Sequence, residues 1–228
     1  MKVFLAILAL KYSFVLRLSM VPIRVGFAIV LLLSVNSFLS CMTDFTYNVV
    51  TVNVNRLSSQ ARLMAFKQFL TLNNIHICAI QESVITDYSL LSNYHYVSQP
   101  NDRGSEVGFL YRKDLDFQVR CYSTSPYLIV GCLQNVSFIN IYGLSGSINK
   151  QAREQFLLGE LHTVLHHIST PYIVLGDFNA VTGPADVTGP CHPSQGLLRL
   201  IHTFSLVDTW RTKHPGIPGY TYYYHQGD

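Results

Sequence analysis

The sequence predicts a layered α/β fold, and three observations carry that prediction. Short runs rich in Val and Ile alternate with segments whose apolar residues recur at helical spacing. Between Val107 and Tyr142 strand-like runs follow one another with only turn residues between them, which calls for antiparallel neighbours and so for mixed sheets. With 228 residues, 49% of them apolar, the chain can bury one full core.

The elements follow in order from Tyr47. YNVVTVNV is β-branched and bounded by polar residues, so it reads as a central strand. Ser58 or Ser59 caps a helix running to Asn73, with Leu63, Phe66 and Leu70 on one face. IHICAIQ is a second buried strand ending at Glu82, and VGFLYR, FQVRC, YLIVGCL and VSFINIY supply the next ones. In NKQAREQFLLGELHTVLHHI, Phe156, Leu157, Leu161, Val164, Leu165 and Ile168 fall at helical spacing, and Pro171 marks the break into strand YIVLG. Ser194 caps one more helix, SQGLLRLIHTF, ahead of LVDTWR and an aromatic strand, YTYYYH. No internal repeat or low-complexity linker interrupts this run, so residues 42–228 form one domain.

Residues 1–41 differ in kind. They hold four basic residues (Lys2, Lys11, Arg17, Arg24), no acidic one and two apolar runs, the second with fifteen uncharged residues from Val25 to Leu39. Two readings stay open for this leader: a signal anchor or short membrane span through residues 21–40, or a non-native upstream extension of a domain that starts at Met42. The body then carries 12 basic against 13 acidic residues, so it is no polycation. Nucleic acid would have to be handled through a local groove and a metal. Cys41, Cys78, Cys121, Cys132 and Cys191 are odd in number, widely spaced and free of any C-x-x-C, which argues against a zinc knuckle or a dense disulfide framework.

Polar residues interrupt the apolar runs at four strand ends: Asn53 and Asn55 in TVNVN, Gln81 and Glu82 in AIQES, Tyr142 in NIYG, and Asp177 and Asn179 in GDFN. Ligands of α/β sheets gather at such ends. Asn53 and Asn55 share parity, which predicts one common face. Singly, each residue has a mild explanation as a cap or a turn former. Together, two carboxylates, amides and a phenol describe a site for a hard metal ion and a phosphate.

The set TVNVN, AIQE, NIYG and GDFN, in this order, resembles the endonuclease/exonuclease/phosphatase superfamily, with its DNase-I-like nucleases and abasic-site endonucleases. VGFLYR, LVDTWRTKHP and YTYYYH are similar to landmarks of the endonuclease domain that LINE-type non-LTR retrotransposons carry ahead of their reverse transcriptase. The resemblance spans Tyr47 to His225 and implies a four-layer α/β/β/α sandwich with two mixed sheets. It also implies roles. Glu82 would hold Mg²⁺, with Mn²⁺ as a substitute, and Asn55 would stand beside it where many relatives have Asp. Asn53 and Asn179 would grip the scissile phosphate of DNA, Tyr142 would orient it, and Asp177 would align or deprotonate the attacking water. Localisation would be nuclear or cytoplasmic for a retrotransposon nuclease, or at a membrane if the leader is a span. No protein partner is inferable.

Departures from the family pattern accompany these expectations. Relatives continue past the aromatic strand to Ser-x-Ile-Asp and Ser-Asp-His segments, neither of which occurs in this sequence, so the expectation is a sandwich lacking its last strands and of weak or no activity. Gly143-Leu144-Ser145 follows Tyr142 where relatives show Ala-Pro. None of His192, His202, His214 or His225 sits in a catalytic motif, Trp210 reads as packing, and Arg103 and Gly104 read as a solvated turn. The competing enzyme reading is a membrane-tethered superfamily phosphatase or phosphodiesterase; the non-enzymatic one is a relic that keeps the fold without turnover.

Overall fold

In the computed structural model the described residues are 7–9, 15–23, 26–34, 46–85, 87–100, 106–120 and 125–217. They build two six-stranded mixed sheets. The first contains β2 (Val15–Ile23), β3 (Gly26–Ser34), β4 (Thr46–Asn53), β5 (Ile77–Gln81), β7 (Glu106–Arg112) and β6 (Tyr94–Pro100), in that spatial order. The second runs β12 (Val207–Asp208), β1 (Ile7–Ala9), β11 (Tyr172–Asp177), β10 (Val136–Tyr142), β9 (Leu128–Leu133), β8 (Phe117–Arg120).

Each sheet holds one parallel pair at its centre. Asn53 pairs with Gln81 in β4/β5, and Tyr142 with Asp177 in β10/β11, while the remaining neighbours are antiparallel. The alternation of side chains along each strand then sorts the core into three slabs. Val49, Ile77, Ala79, Phe109, Phe138, Ile173 and Leu175 fill the space between the sheets. Val50, Val52, Cys78 and Ile80 pack outward against Leu63, Phe66, Phe69 and Leu70 of helix α1 (Gln60–Leu72). Ile139, Ile141, Tyr172 and Val174 pack outward against the helices of the opposite layer. Those are α2 (Lys150–Phe156), a π-helical stretch at Leu157–Leu161, α3 (His162–His167) and α4 (Gln195–Thr203). The predicted four-layer sandwich with two mixed sheets is thus the observed one.

Local signals place most elements where expected. Ser59 caps α1 by accepting from the Arg62 N–H at 3.3 Å, and Ser194 caps α4 by accepting from the Leu197 N–H at 3.1 Å. All six residues of the predicted helical stripe from Phe156 to Ile168 are buried. Strand β6 carried no clean alternation and was not expected; it is an edge strand held by its ladder to β7. LVDTWR also differs from a simple strand, since Asp208 accepts from the Arg211 N–H at 2.9 Å and starts the short helix α5 (Thr209–Lys213). The aromatic run YTYYYH, with His225, and the turn holding Arg103 and Gly104 lie outside the described residues.

Of the two readings of the leader, the membrane span through residues 21–40 does not take helical form where the segment Val25–Leu39 is described. Its described residues, Gly26–Ser34, form β3, which pairs antiparallel with β2 and β4. No helix among the described residues is long and apolar enough to cross a membrane. Hydropathy alone cannot separate an apolar strand from an apolar helix, and here sheet pairing takes the segment. Cys78 and Cys132 are buried free thiols, and Cys191 is a partly exposed one.

Candidate functional site

Four strands that face the middle of the sandwich end in polarity. Along the inter-sheet face, β4 reads Val49, Thr51, Asn53; β5 reads Ile77, Ala79, Gln81; β10 reads Phe138, Asn140, Tyr142; and β11 reads Ile173, Leu175, Asp177. The candidate site is therefore the inter-sheet core continued to the rim, with amides, a phenol and a carboxylate replacing aliphatic groups at the last positions.

At that rim the Asn53 amide joins the two sheets. Its Nδ2 donates at 2.8 Å to Glu82 Oε1 and at 2.8 Å to Asp177 Oδ2, residues that lie 29 and 124 positions away in sequence. Both Asn53 N–H bonds are committed, and its Oδ1 accepts from the Asn55 backbone N–H at 2.9 Å. Asp177 is fully buried, and its Oδ1 accepts from the Asn179 N–H at 3.1 Å. The Asn179 side chain donates to the Gly143 carbonyl at 2.7 Å, leaving its second Nδ2–H uncommitted. Burial raises the pKa of the Tyr142 phenol, the Ser145 hydrogen bond at 3.3 Å opposes this, and the charges of Glu82 and Asp177 push it further up. The phenol is thus a fixed O–H donor at neutral pH.

Backbone strain concentrates here as well. Asn55, Glu82 and Asn179 adopt φ of 43°, 51° and 47°, each just past a strand end. The strand-parity expectation for Asn55 fails for this reason: β4 stops at Asn53, and the left-handed turn carries Asn55 to an exposed position while Asn53 is buried. Glycines let the β10 and β11 ends approach. A Cβ on Gly176, at φ 136°, would sit 2.1 Å from the Ile141 carbonyl oxygen, and one on Gly143 would sit 2.1 Å from that of Phe178. Gly143 in place of the relatives' Ala thus fits a closer passage of the two chains.

Sequence reasoning missed three contributors. Asn140, fully buried, spans the sheets beneath the rim: Nδ2 donates to the Ile80 and Gly108 carbonyls at 3.1 and 2.7 Å, and Oδ1 accepts from Gln81 Nε2 at 2.6 Å. Its place in the apolar run VSFINIY gave the signal. Arg153 donates to the Leu144 carbonyl at 2.6 Å and so anchors the loop after Tyr142; burial lowers its pKa while Glu154 and Asp177 raise it. Arg211 donates to Asp186 at 2.5 Å, and Asp186 accepts from Thr182 and Gly183, which clasps the segment following Asn179 onto α5. LVDTWR is thereby tied to the loop after the GDFN strand.

Among the described residues no group of three or more His, Cys, Asp or Glu side chains could enclose a metal. The rim instead offers two carboxylates and amide oxygens, hard donors drawn together around one amide. That set fits a Mg²⁺-like ion, which uses one or two carboxylates and takes its remaining ligands from water and phosphate. The charge of Asp177 reaches Arg153 and supports its charged form.

A four-layer sandwich with its polar residues collected on one rim places the protein in the DNase-I-like class of α/β enzymes. The chain belongs to the Endonuclease/Exonuclease/phosphatase family, whose profile matches residues 50–227. Its fold is similar to an AP endonuclease from Archaeoglobus fulgidus, with TM-score 0.61 and 22% identity over 78% of this chain and 79% of that one. It is also similar to the 3′-5′ exonuclease NExo from Neisseria meningitidis, with TM-score 0.63 and 22% identity over the same shares. A structure of 3′ phosphatase NExo from Neisseria bound to a product DNA hairpin matches equally, at TM-score 0.63, 22% identity, 78% of this chain and 79% of that one.

Proposed function

We propose that this protein is a DNA phosphodiesterase that works with Mg²⁺, or Mn²⁺ in its place, at the rim formed by Asn53, Glu82, Tyr142, Asp177 and Asn179. One observation carries the reading: a single amide holds two carboxylates from opposite sheets at 2.8 Å each. Two carboxylates brought to one amide at the rim present the hard, anionic oxygens that a divalent cation takes as ligands.

Glu82, with Asn55 beside it, would hold the ion, which when bound neutralises charge developing on the phosphoryl oxygens and leaving group. Tyr142, giving up its 3.3 Å bond to Ser145 Oγ, donates its O–H to a phosphoryl oxygen, and Asn179 offers its second Nδ2–H to another. Asn53 fixes Glu82 and Asp177 in register, and gripping the phosphate requires it to give up one of those two bonds. Asp177, held by Asn53 and Asn179, takes the proton of the attacking water. In-line attack forms the bond from the water oxygen to phosphorus and breaks the bond to the 3′ oxygen, which takes a proton from solvent and so leaves a 3′-hydroxyl opposite a 5′-phosphate.

Within the family we assign the chain to the endonuclease domains of LINE-type non-LTR retrotransposons, on the strength of VGFLYR and LVDTWRTKHP, with the domain at 42–228 and residues 1–41 as a leader. The full chain is expected to nick supercoiled plasmid weakly with Mg²⁺, to stop on chelation, and to slow by about 100-fold or more in Glu82→Gln. A polymerase should extend the nick without prior end repair, as a primer end requires. Equal nicking by the wild type and Glu82→Gln would defeat the assignment.

A further inference from the structure

The two strands that hold the bridge between the sheets share a feature away from the rim. Asn53 closes β4 and Asp177 closes β11, and the outer neighbour of each is a strand from the leader. β3 lies along β4 from Ile29 opposite Thr51 to Ser34 opposite Thr46. β1 lies along β11 from Ile7 opposite Val174 to Ala9 opposite Tyr172. One leader therefore serves both sheets. β1 also pairs with β12, and among the described residues β12 reaches its sheet through β1 alone. Through β1 the leader thus attaches the segment that starts α5 and supplies Arg211 to Asp186.

Neither β4 nor β11 is built to be an edge. Val49, Val50, Thr51 and Val52 are at most 3% exposed, and every residue of β11 is buried. Burial on both faces is the mark of an inner strand. Without β1 and β3, each would present a row of unpaired backbone N–H and C=O groups beside apolar faces, an arrangement that draws in strands of other molecules. The outermost leader strand, β2, carries instead what an edge needs: a charged residue, Arg17, and a residue without an N–H, Pro22.

We propose that residues 7–34 act as a strand donor within the chain: β1 and β3 occupy the outer edges of β11 and β4, hold both as inner strands and keep the domain from pairing with a second copy of itself. The leader is then part of the folded domain, although the family profile begins at residue 50. This role concerns assembly and is independent of the chemistry at the rim.

The test uses the full chain. Leu8 and Val207 are register partners near opposite ends of the sequence, and Val207 is exposed. Leu8→Cys/Val207→Cys should form an intrachain disulfide under mild oxidation, identified by mass spectrometry, because register partners bring their Cα atoms within disulfide range. Leu8→Cys/Lys113→Cys is the control and should not, since Lys113 follows β7 in the other sheet. Hydrogen exchange of the wild type should be slowed in residues 26–34 together with 46–53, by about 100-fold or more relative to an unstructured peptide. Val30→Pro removes a donor from the middle of β3, opposite Val50, and should strip that protection from 46–53 and turn a monomer into species that grow with concentration in light scattering.

A disulfide in Leu8→Cys/Val207→Cys no more frequent than in the control, or exchange of residues 26–34 at the rate of an unstructured peptide, would overturn the proposal, and neither measurement depends on how well Val30→Pro folds. Flotation of the wild type with vesicles of phosphatidylcholine and phosphatidylserine would overturn it too, by returning the leader to the membrane. A Val30→Pro chain that stays monomeric, with 46–53 protected as in the wild type, would show that β4 needs no cover.

Discussion

Two polar clusters lie one step apart along the same strands. The inner one, Thr51, Gln81 and Asn140, is neutral and fully buried among or beside core residues. The outer one, Asn53, Glu82 and Asp177, repeats the use of an amide as a bridge between sheets but places two carboxylates on it. Neutral amides can satisfy one another and cement two sheets at little net cost, as the Asn140 contacts do, with only Gln81 Oε1 left unpartnered. Two carboxylates cannot satisfy one another. On the proposed function the inner cluster belongs to folding and the outer one to chemistry, although the residue types look alike in the sequence.

A third polar site sharpens the contrast. Asp186 is also a buried carboxylate, but Arg211 pairs with it directly, so its charge is settled within the fold. Asp177 lies nine residues earlier in the chain and accepts from the Asn53 side chain and the Asn179 N–H.

The comparison can be broken most forcefully at its outer member. Asp177→Asn should lower kcat on DNA by about 100- to 1000-fold while costing only about 1–2 kcal/mol in urea unfolding, because the shape is kept and one amide N–H then faces a donor. A stability loss matching the activity loss would make Asp177 a folding residue. The inner member should answer in the opposite way: Asn140→Leu strands the Ile80 and Gly108 carbonyls and is expected to cost roughly 3 kcal/mol in urea unfolding. An unchanged midpoint would remove the inter-sheet bridge from the account.

Arg211→Met leaves Asp186 with three hydrogen bonds but no counter-charge, and should cost about 2 kcal/mol in the same measurement. The smallest effect concerns pH. Burial raises the Asp208 pKa, the Arg211 N–H lowers it and the Asp186 charge raises it. A carboxyl whose folded pKa lies above its unfolded value contributes stability below the unfolded value of 3.8 and loses it as pH rises through the folded one. Asp208→Asn keeps the cap on α5 and should flatten the fall in unfolding midpoint above that pH; an identical profile would show that the group does not titrate abnormally.

Much of this was legible in the sequence because its determinants are local. Period-two alternation in YNVVTVNV, the Ser59 and Ser194 caps and the stripe from Phe156 to Ile168 each depend on residues within a few positions of one another. The four strand-end motifs were legible for the same reason, as polarity breaking an apolar run. Local signals misled where two structures satisfy one pattern: the run around Gly26–Ser34 suits a strand or a helix, and Asn55 obeys strand parity only if the strand continues.

What the sequence by itself determined, then, was which residues stand at strand ends and which face of each strand they share with the core. Only the tertiary structure decided that Asn53 meets Asp177 across 124 positions, that Asn140 ties the sheets a second time beneath the rim, and that Arg153 and His192 open onto one cavity. The reason is physical: alternation and capping are fixed by neighbouring peptide units, whereas contact between two sheets depends on how their entire inner faces stack and twist together.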